Sequence, residues 1–155
     1  MTILRKSYQD ELRAYESDGL AAYKQLPMLV VLPSTVDQVS RILKYCHEHK
    51  IKVVPRGGGT SLSGGSLPLE DGIVLAMGKF NRVLAIDYEN RCAVVQPGVT
   101  NLGITNAVQH EGFYYAPDPS SQIACSIGGN VAENSGGVHC LKYGLTTNNL
   151  LGIEM

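Results

Sequence analysis

The sequence predicts an α+β fold in two lobes, a small α/β lobe of parallel strands and helix followed by a second α+β lobe. Three observations point there. Apolar runs at 28–32 and 51–54 flank an amphipathic helical stretch, and a strand–helix–strand unit requires parallel strands joined by a right-handed crossover. Short strand candidates continue at 73–76, 83–87 and 91–96. Glycine supplies 17 of the 155 residues, above the ~7% usual for soluble domains, and much of it falls in two loops.

In chain order, Ile3, Leu4, Tyr8, Leu12 and Tyr15 recur near a helical spacing, so residues 2–16 read as a short amphipathic helix with Lys6, Asp10 and Glu11 on its wet side. The run at 28–32 closes at Pro33 and reads as a buried strand. Ser34 or Thr35 is placed to cap the next helix, with Asp37 or Gln38 as the capping-box partner. Val36, Val39, Ile42, Leu43 and Cys46 then form one stripe that ends near His49. Tyr88, Glu89 and Asn90 make a hairpin turn between two strands. Thr100 caps a helix that runs through Glu111 and stops at Gly112. Beyond Phe113, apolar pieces alternate with Gly, Asn, Ser and Pro, which reads as strands and loops.

Composition removes several function classes. Thirteen Lys and Arg stand against 14 Asp and Glu, for a net charge of −1, so the electrostatic footprint of a nucleic-acid binder is missing. No run approaches the ~18 apolar residues of a membrane span, and no signal region opens the chain. The chain reads as cytoplasmic. Cys46, Cys92, Cys125 and Cys140 are too widely spaced for a zinc finger or an iron–sulfur motif. They read as reduced thiols, and no metal site is expected.

The first glycine loop is Arg56-Gly57-Gly58-Gly59-Thr60-Ser61-Leu62-Ser63-Gly64-Gly65, directly after a strand. Backbone without side chains lets several N–H groups converge on an anion such as a pyrophosphate. Arg56 adds charge, and Thr60, Ser61 and Ser63 add hydroxyls. The plainer alternative is a tight surface turn. No lysine follows as a P-loop requires, the dinucleotide fingerprint fails at Leu62, and no nucleophile elbow is present. The second loop holds Gly128-Gly129 and Gly136-Gly137 with Asn130 and Asn134 between them, which suits a planar polar ligand. One long molecule held at both loops, of the length of FAD, accounts for the pair.

The strings RGGGTSLSGGSLPLEDGI at 56–73, VVQPGV at 94–99 and YYAPDPSSQIACSIGGNVAENSGGVHCLKYGLTTNNLLGIE at 114–154 resemble the flavoproteins of vanillyl-alcohol-oxidase type, with their PCMH-type FAD-binding domain. Within them they are similar to the branch of bacterial glycolate oxidase catalytic subunits and D-lactate and D-2-hydroxyglutarate dehydrogenases. The likeness extends from about Tyr15 to Met155. It implies a lead-in at 1–27, a first FAD-binding lobe at 28–95 with the pyrophosphate loop at 55–66, and a second, incomplete lobe at 96–155. Cofactor contacts are implied at Arg56, Gly57, Gly58, Gly59, Thr60, Ser61, Gly64, Gly65, Pro97, Gly98, Val99, Pro117, Asp118, Ser120, Ser121, Gly128, Gly129, Asn130, Asn134, Gly136, Gly137, Tyr143, Gly144 and Thr146. Some relatives attach FAD through a histidine in the first loop. Thr60 stands there, so non-covalent FAD is expected.

The activity implied is oxidation of a 2-hydroxy acid, of glycolate or D-lactate type, with hydride transfer to FAD. The implied partners are iron–sulfur and second FAD-binding subunits, which would also supply any hold on the inner membrane. The cap domain and the C-terminal metal and substrate residues of such enzymes have no counterpart here, and the unfinished alternation at 150–155 reads as a truncated strand. No catalytic residue is therefore assigned. His110 sits at a helix end where the dipole explains it. For His139, beside the second loop, the alternatives are a place near the flavin and no chemical role; for Lys142, next to Tyr143, they are steadying a negative flavin or substrate and a plain surface lysine. The other reading is a non-catalytic flavin- or nucleotide-binding module, or a remnant without a substrate site.

Overall fold

The computed structural model describes residues 1–5 and 9–155, which pack as two units, Met1–Phe80 and Asn81–Met155. The first is built on a four-stranded sheet of β1 (Thr2–Arg5), β2 (Leu29–Leu32), β3 (Lys52–Arg56) and β4 (Gly72–Ala76), in the order β1-β2-β4-β3. β4 pairs in parallel with both β2 and β3, so the expected strand–helix–strand unit is present with one strand inserted between its two strands. Every residue of β4 is buried, and it carries no polar side chain, as a strand covered on both faces must. β3 lies at an edge, which tolerates Pro55 and its missing N–H donor.

Alternation along the strands sorts the core onto two faces. Val30, Val74 and Ala76 pack with Leu12 from α1 (Gln9–Arg13), and Val31, Ile73 and Leu75 pack with Cys46 from α2 (Val36–Glu48). α2 starts as expected, with the Thr35 hydroxyl accepting from the Gln38 N–H at 3.3 Å. The Gln38 side chain reaches back to the Ser34 N–H at 2.7 Å. The expected stripe is narrower than its five residues. Val39, Ile42 and Cys46 face the sheet, whereas Val36 and Leu43 are exposed, because they lie toward the flank of the apolar stripe.

The N-terminal helix expected at 2–16 is corrected. Residues 2–5 form an edge strand antiparallel to β2, pairing Leu4 with Val30, and among the described residues of this stretch only Gln9–Arg13 is helical. Tyr8 and Lys6 lie outside the described residues. Extended pairing places Leu4 against the same core face as Leu12, so the apolar spacing is met by a strand followed by a helix.

In the second unit, β5 (Val83–Asp87) and β6 (Cys92–Val95) form a hairpin with a bulge at Leu84, and Arg91 takes a left-handed conformation at its turn. The division at 95 expected from the sequence leaves this hairpin with the first lobe, whereas in the structure it groups with the second unit. α3 (Asn101–Val108) is capped by Thr100, continues as a 3-10 turn at Gln109–Glu111 and stops at Gly112 with φ 79°. Beyond Phe113 the expected strands are replaced by α4 (Ile127–Glu133), α5 (Cys140–Tyr143) and a 3-10 turn at Thr146–Asn149. Ser126 caps α4 and supplies the start signal that the glycines beside it obscure. Residues 150–155 are not in a strand.

Val99, Ile104 and Ile127 form the second core. Cys46 and Cys125 are buried and Cys140 is exposed, all as free thiols. No helix among the described residues is long and apolar enough to cross a membrane. Leu12, 1% exposed, ties α1 to the sheet. Leu12→Ala should cost about 2–5 kcal/mol, read as a lowered midpoint with unchanged slope in urea unfolding.

Candidate functional site

The first glycine loop leaves the end of β3 and turns through Gly59 and Gly64, with φ of 68° and 74°. Arg56 folds beneath it. A Cβ on Gly59 would overlap the Arg56 guanidinium, so the backbone lies directly on that side chain. Arg56 is 8% exposed; its Nη1 donates to the Ser17 carbonyl at 2.8 Å and the Ser66 carbonyl at 3.3 Å, and its guanidinium carbon lies 5.5 Å from the Tyr15 ring centroid. Burial pulls its pKa below the usual arginine value, while Asp18 and Tyr15 push it back up. Arginine stays charged under any such shift near neutrality, so a fixed cation sits behind the loop.

The loop's own donors are unspent. Among the described residues, the backbone N–H groups of Gly57, Gly58, Gly59, Thr60 and Ser61 donate to no other group of the chain. The Ser61 hydroxyl accepts from the Ser63 N–H at 3.2 Å. The Asp18–Gly19 turn, between α1 and β2, packs against this backbone. A Cβ on Gly19 would stand 2.7 Å from the Thr60 and Ser61 carbonyl oxygens. Asp18 accepts from the Leu20 N–H through Oδ1, whereas its Oδ2 and the Ser66 hydroxyl are buried without partners.

In the second unit the expected contact residues divide into packing and surface groups. Pro97 accepts from the Gly128 N–H at 2.8 Å and would collide with a Cβ there. Val99 belongs to the core. Asn101 and Asn130 are 1% and 2% exposed; Asn101 Nδ2 donates to Asn130 Oδ1 at 2.9 Å and to the Pro117 carbonyl at 3.0 Å, and Asn130 donates to the Cys125 sulfur at 3.2 Å. The Asn130 amide is thus spent inside the protein. Asn134, left-handed at the end of α4, accepts from the Thr147 N–H, and buried Thr146 donates to the Ser135 carbonyl at 2.7 Å. Gly136 packs on Leu145, and Gly137 packs on the Asp118 carbonyl. Ser120 is exposed, Gly98, Gly129 and Ser121 are half-buried, and Gly144 turns the chain with φ 79°.

A titratable cluster lies on the same unit. The Asp118 carboxylate faces His139 Nδ1 at 2.6 Å and accepts from the His139 N–H at 3.4 Å. Burial raises the Asp118 pKa, but the bonds from His139 outweigh it and hold the carboxyl below its usual range. The Tyr114 hydroxyl donates to the Tyr143 hydroxyl at 2.7 Å, and Lys142 Nζ stands 4.9 Å from the Tyr143 ring centroid. The hydrogen bond from Tyr114, then Lys142, makes Tyr143 more acidic than an ordinary tyrosine. Elsewhere in this unit, an apolar groove of about 480 Å³ between the β5–β6 hairpin and α3 is lined by none of the expected cofactor contacts. Among the described residues, no group of three His, Cys, Asp or Glu could hold a metal ion.

The donor set fits a dinucleotide better than a plain turn. Unspent N–H groups over a buried guanidinium suit an anionic group, and the unpartnered Asp18 Oδ2 suits a hydroxyl donor. The family described as FAD binding domain matches residues 27–155. Glycolate oxidase subunit GlcD of Escherichia coli (strain K12) is 61% identical over 146 residues, covering 94% of this chain and 29% of that protein. D-lactate dehydrogenase of Archaeoglobus fulgidus is 44% identical over 146 residues, covering 94% of this chain and 32% of that protein. Among solved structures, p-cresol methylhydroxylase with substrate bound superposes with a TM-score of 0.72 at 27% identity, over 86% of this chain and 26% of that one. The chain thus spans about a third or less of the length of these relatives.

The amide pair gives a direct test of the second unit's scaffold. Asn130→Ala strands the Asn101 amide in a buried site and should cost about 1–3 kcal/mol, measured by denaturant unfolding beside an exposed Ser120→Ala control that should change little.

Proposed function

The chain belongs to the FAD-binding-domain family, and on that premise we propose that it forms the flavin-binding part of an oxidoreductase that removes two electrons from a 2-hydroxy acid of glycolate or D-lactate type. The observation that carries this reading is the run of unspent N–H groups at 57–61 above the buried Arg56 guanidinium. Bound FAD would supply the two-electron acceptor that no amino-acid side chain offers. The chain's own residues bind and orient it.

Gly57 to Ser61, with Gly64 and Gly65, present backbone to the pyrophosphate, and Arg56 supplies a positive potential from beneath without reaching past the loop. Pro97, Gly98, Pro117, Asp118, Ser120, Ser121, Gly128, Gly129, Gly136, Gly137, Tyr143 and Gly144 contribute surface along the remainder of the cofactor. Val99, Asn130, Asn134 and Thr146 hold that surface in shape through the packing described above. Thr60 cannot make the covalent link that a ring nitrogen makes, so FAD is held by non-covalent contacts alone. GlcD is named a subunit of glycolate oxidase. By the same reading this chain passes electrons to iron–sulfur and second FAD-binding subunits, which also hold the assembly at the membrane.

Purified protein titrated with FAD should bind one equivalent, shift the flavin spectrum and release all of it on acid precipitation. Gly59→Ala, which drives a methyl group into the guanidinium at a left-handed position, should weaken binding at least tenfold. Protein indifferent to FAD overturns the reading. A yellow protein that fails to bleach with either glycolate or D-lactate removes the oxidoreductase assignment and leaves a flavin-binding module.

A further inference from the structure

We propose that His139, Lys142 and Tyr143, set by Asp118 and Tyr114, form a binding site for a small 2-hydroxy carboxylate on the surface of the second unit. The choice of a hydroxy acid rests on the function proposed above, while the site itself rests on geometry. Asp118 is 18% exposed and keeps its carboxylate against His139. An ionised carboxylate only accepts hydrogen bonds, so Nδ1 of neutral His139 must carry the proton and Nε2 must be a bare acceptor. The imidazole is 62% exposed, and Nε2 makes no hydrogen bond among the described residues.

The phenols are ordered in the opposite sense. Tyr143 accepts the Tyr114 proton at 2.7 Å, which leaves the proton of Tyr143 free to be donated outward. Lys142 makes no salt bridge among the described residues, and its Nζ stands 4.9 Å from the centroid of the neutral Tyr143 ring. The His139 and Tyr143 ring centroids lie 6.4 Å apart. The cluster therefore offers one cation, one hydroxyl donor and one nitrogen acceptor over a short span.

A 2-hydroxy carboxylate presents the matching groups: a carboxylate for Lys142 and Tyr143, and a neighbouring hydroxyl whose proton points at His139 Nε2. Asp118 carries a negative charge, but His139 covers it and spends both its oxygens, so it orients the imidazole and stands away from the ligand. Removing the ligand's hydroxyl leaves only anion binding, and removing its charge leaves only one weak bond.

The test follows the histidine ring signals by NMR in the whole 155-residue chain, at constant ionic strength and pH 7.5, during titration with glycolate, acetate, glycolamide or chloride. Glycolate should shift the His139 signal saturably and bind about three- to tenfold more tightly than acetate, the worth of one hydrogen bond; glycolamide and chloride should not saturate. His139→Ala should erase the preference for glycolate over acetate, followed on the Tyr143 ring signal. Lys142→Met should abolish binding of both anions, and Lys142→Arg should keep it. A glycolate shift that does not saturate, or that matches chloride, overturns the site from the wild-type arms alone. FAD binding is measured on a separate portion of the same preparation, the glycolate titration being run without FAD: FAD binding with no glycolate response sinks this site and spares the cofactor reading, and the converse result does the reverse.

Discussion

The buried guanidinium of Arg56 is the constraint on which the first unit's loop depends. A cation taken out of water needs partners on every side it presents, and here they are two backbone carbonyls, an aromatic face and the nearby Asp18 charge. Those carbonyls come from Ser17 and Ser66, on opposite flanks of the glycine loop in the chain, so one side chain fastens both to the end of β3. The arrangement also depends on an absence of bulk. Backbone at 59 and at 19 lies where side-chain atoms would otherwise be, and the loop reaches its shape because nothing projects inward there.

Much of the fold was legible in the sequence because it is encoded locally. Thr35 before a helical stripe, Thr100 three residues ahead of Gly103, and Gly112 at a left-handed stop are signals within one turn of the elements they bound. The hairpin from β5 to β6 is equally local. What was missed depends on distant pairing. The strand at Thr2–Arg5 exists because Leu29–Leu32 offers it an edge, and no spacing within residues 2–16 announces a partner so far along the chain. α4 was lost for a different reason. Two glycines in its first turn weaken its intrinsic propensity, and its stability comes from Ser126, the Pro97 contact and the Asn101 amide, two of which lie well upstream.

The candidate site was legible in position and less so in role. Glycine clusters mark where backbone must approach something closely, but composition does not say whether that something is ligand or protein. Gly128 and Gly137 approach Pro97 and the Asp118 carbonyl, which are protein, while the N–H groups at 57–61 donate to no group among the described residues. Asn130 had the right chemistry for a ligand and is spent on Asn101 and Cys125 instead. Asp118 and His139, 21 residues apart, were each singled out, but their pairing belongs to the fold.

The two units bury polarity in different currencies, and this separates what each can offer a bound anion. The second unit buries neutral amides that satisfy one another, a network that gives shape and rigidity with no net charge. The first buries a cation and leaves one carboxylate oxygen and one hydroxyl unpartnered beside it. Potential from a fixed charge falls off slowly in a poorly solvated interior, so Arg56 can act through its own loop without touching the ligand. A neutral amide pair cannot act in that way. The first unit's buried charge can therefore act on an anion at its own loop, whereas the second unit's buried amides give only shape, and any charge it presents comes from exposed side chains such as Lys142.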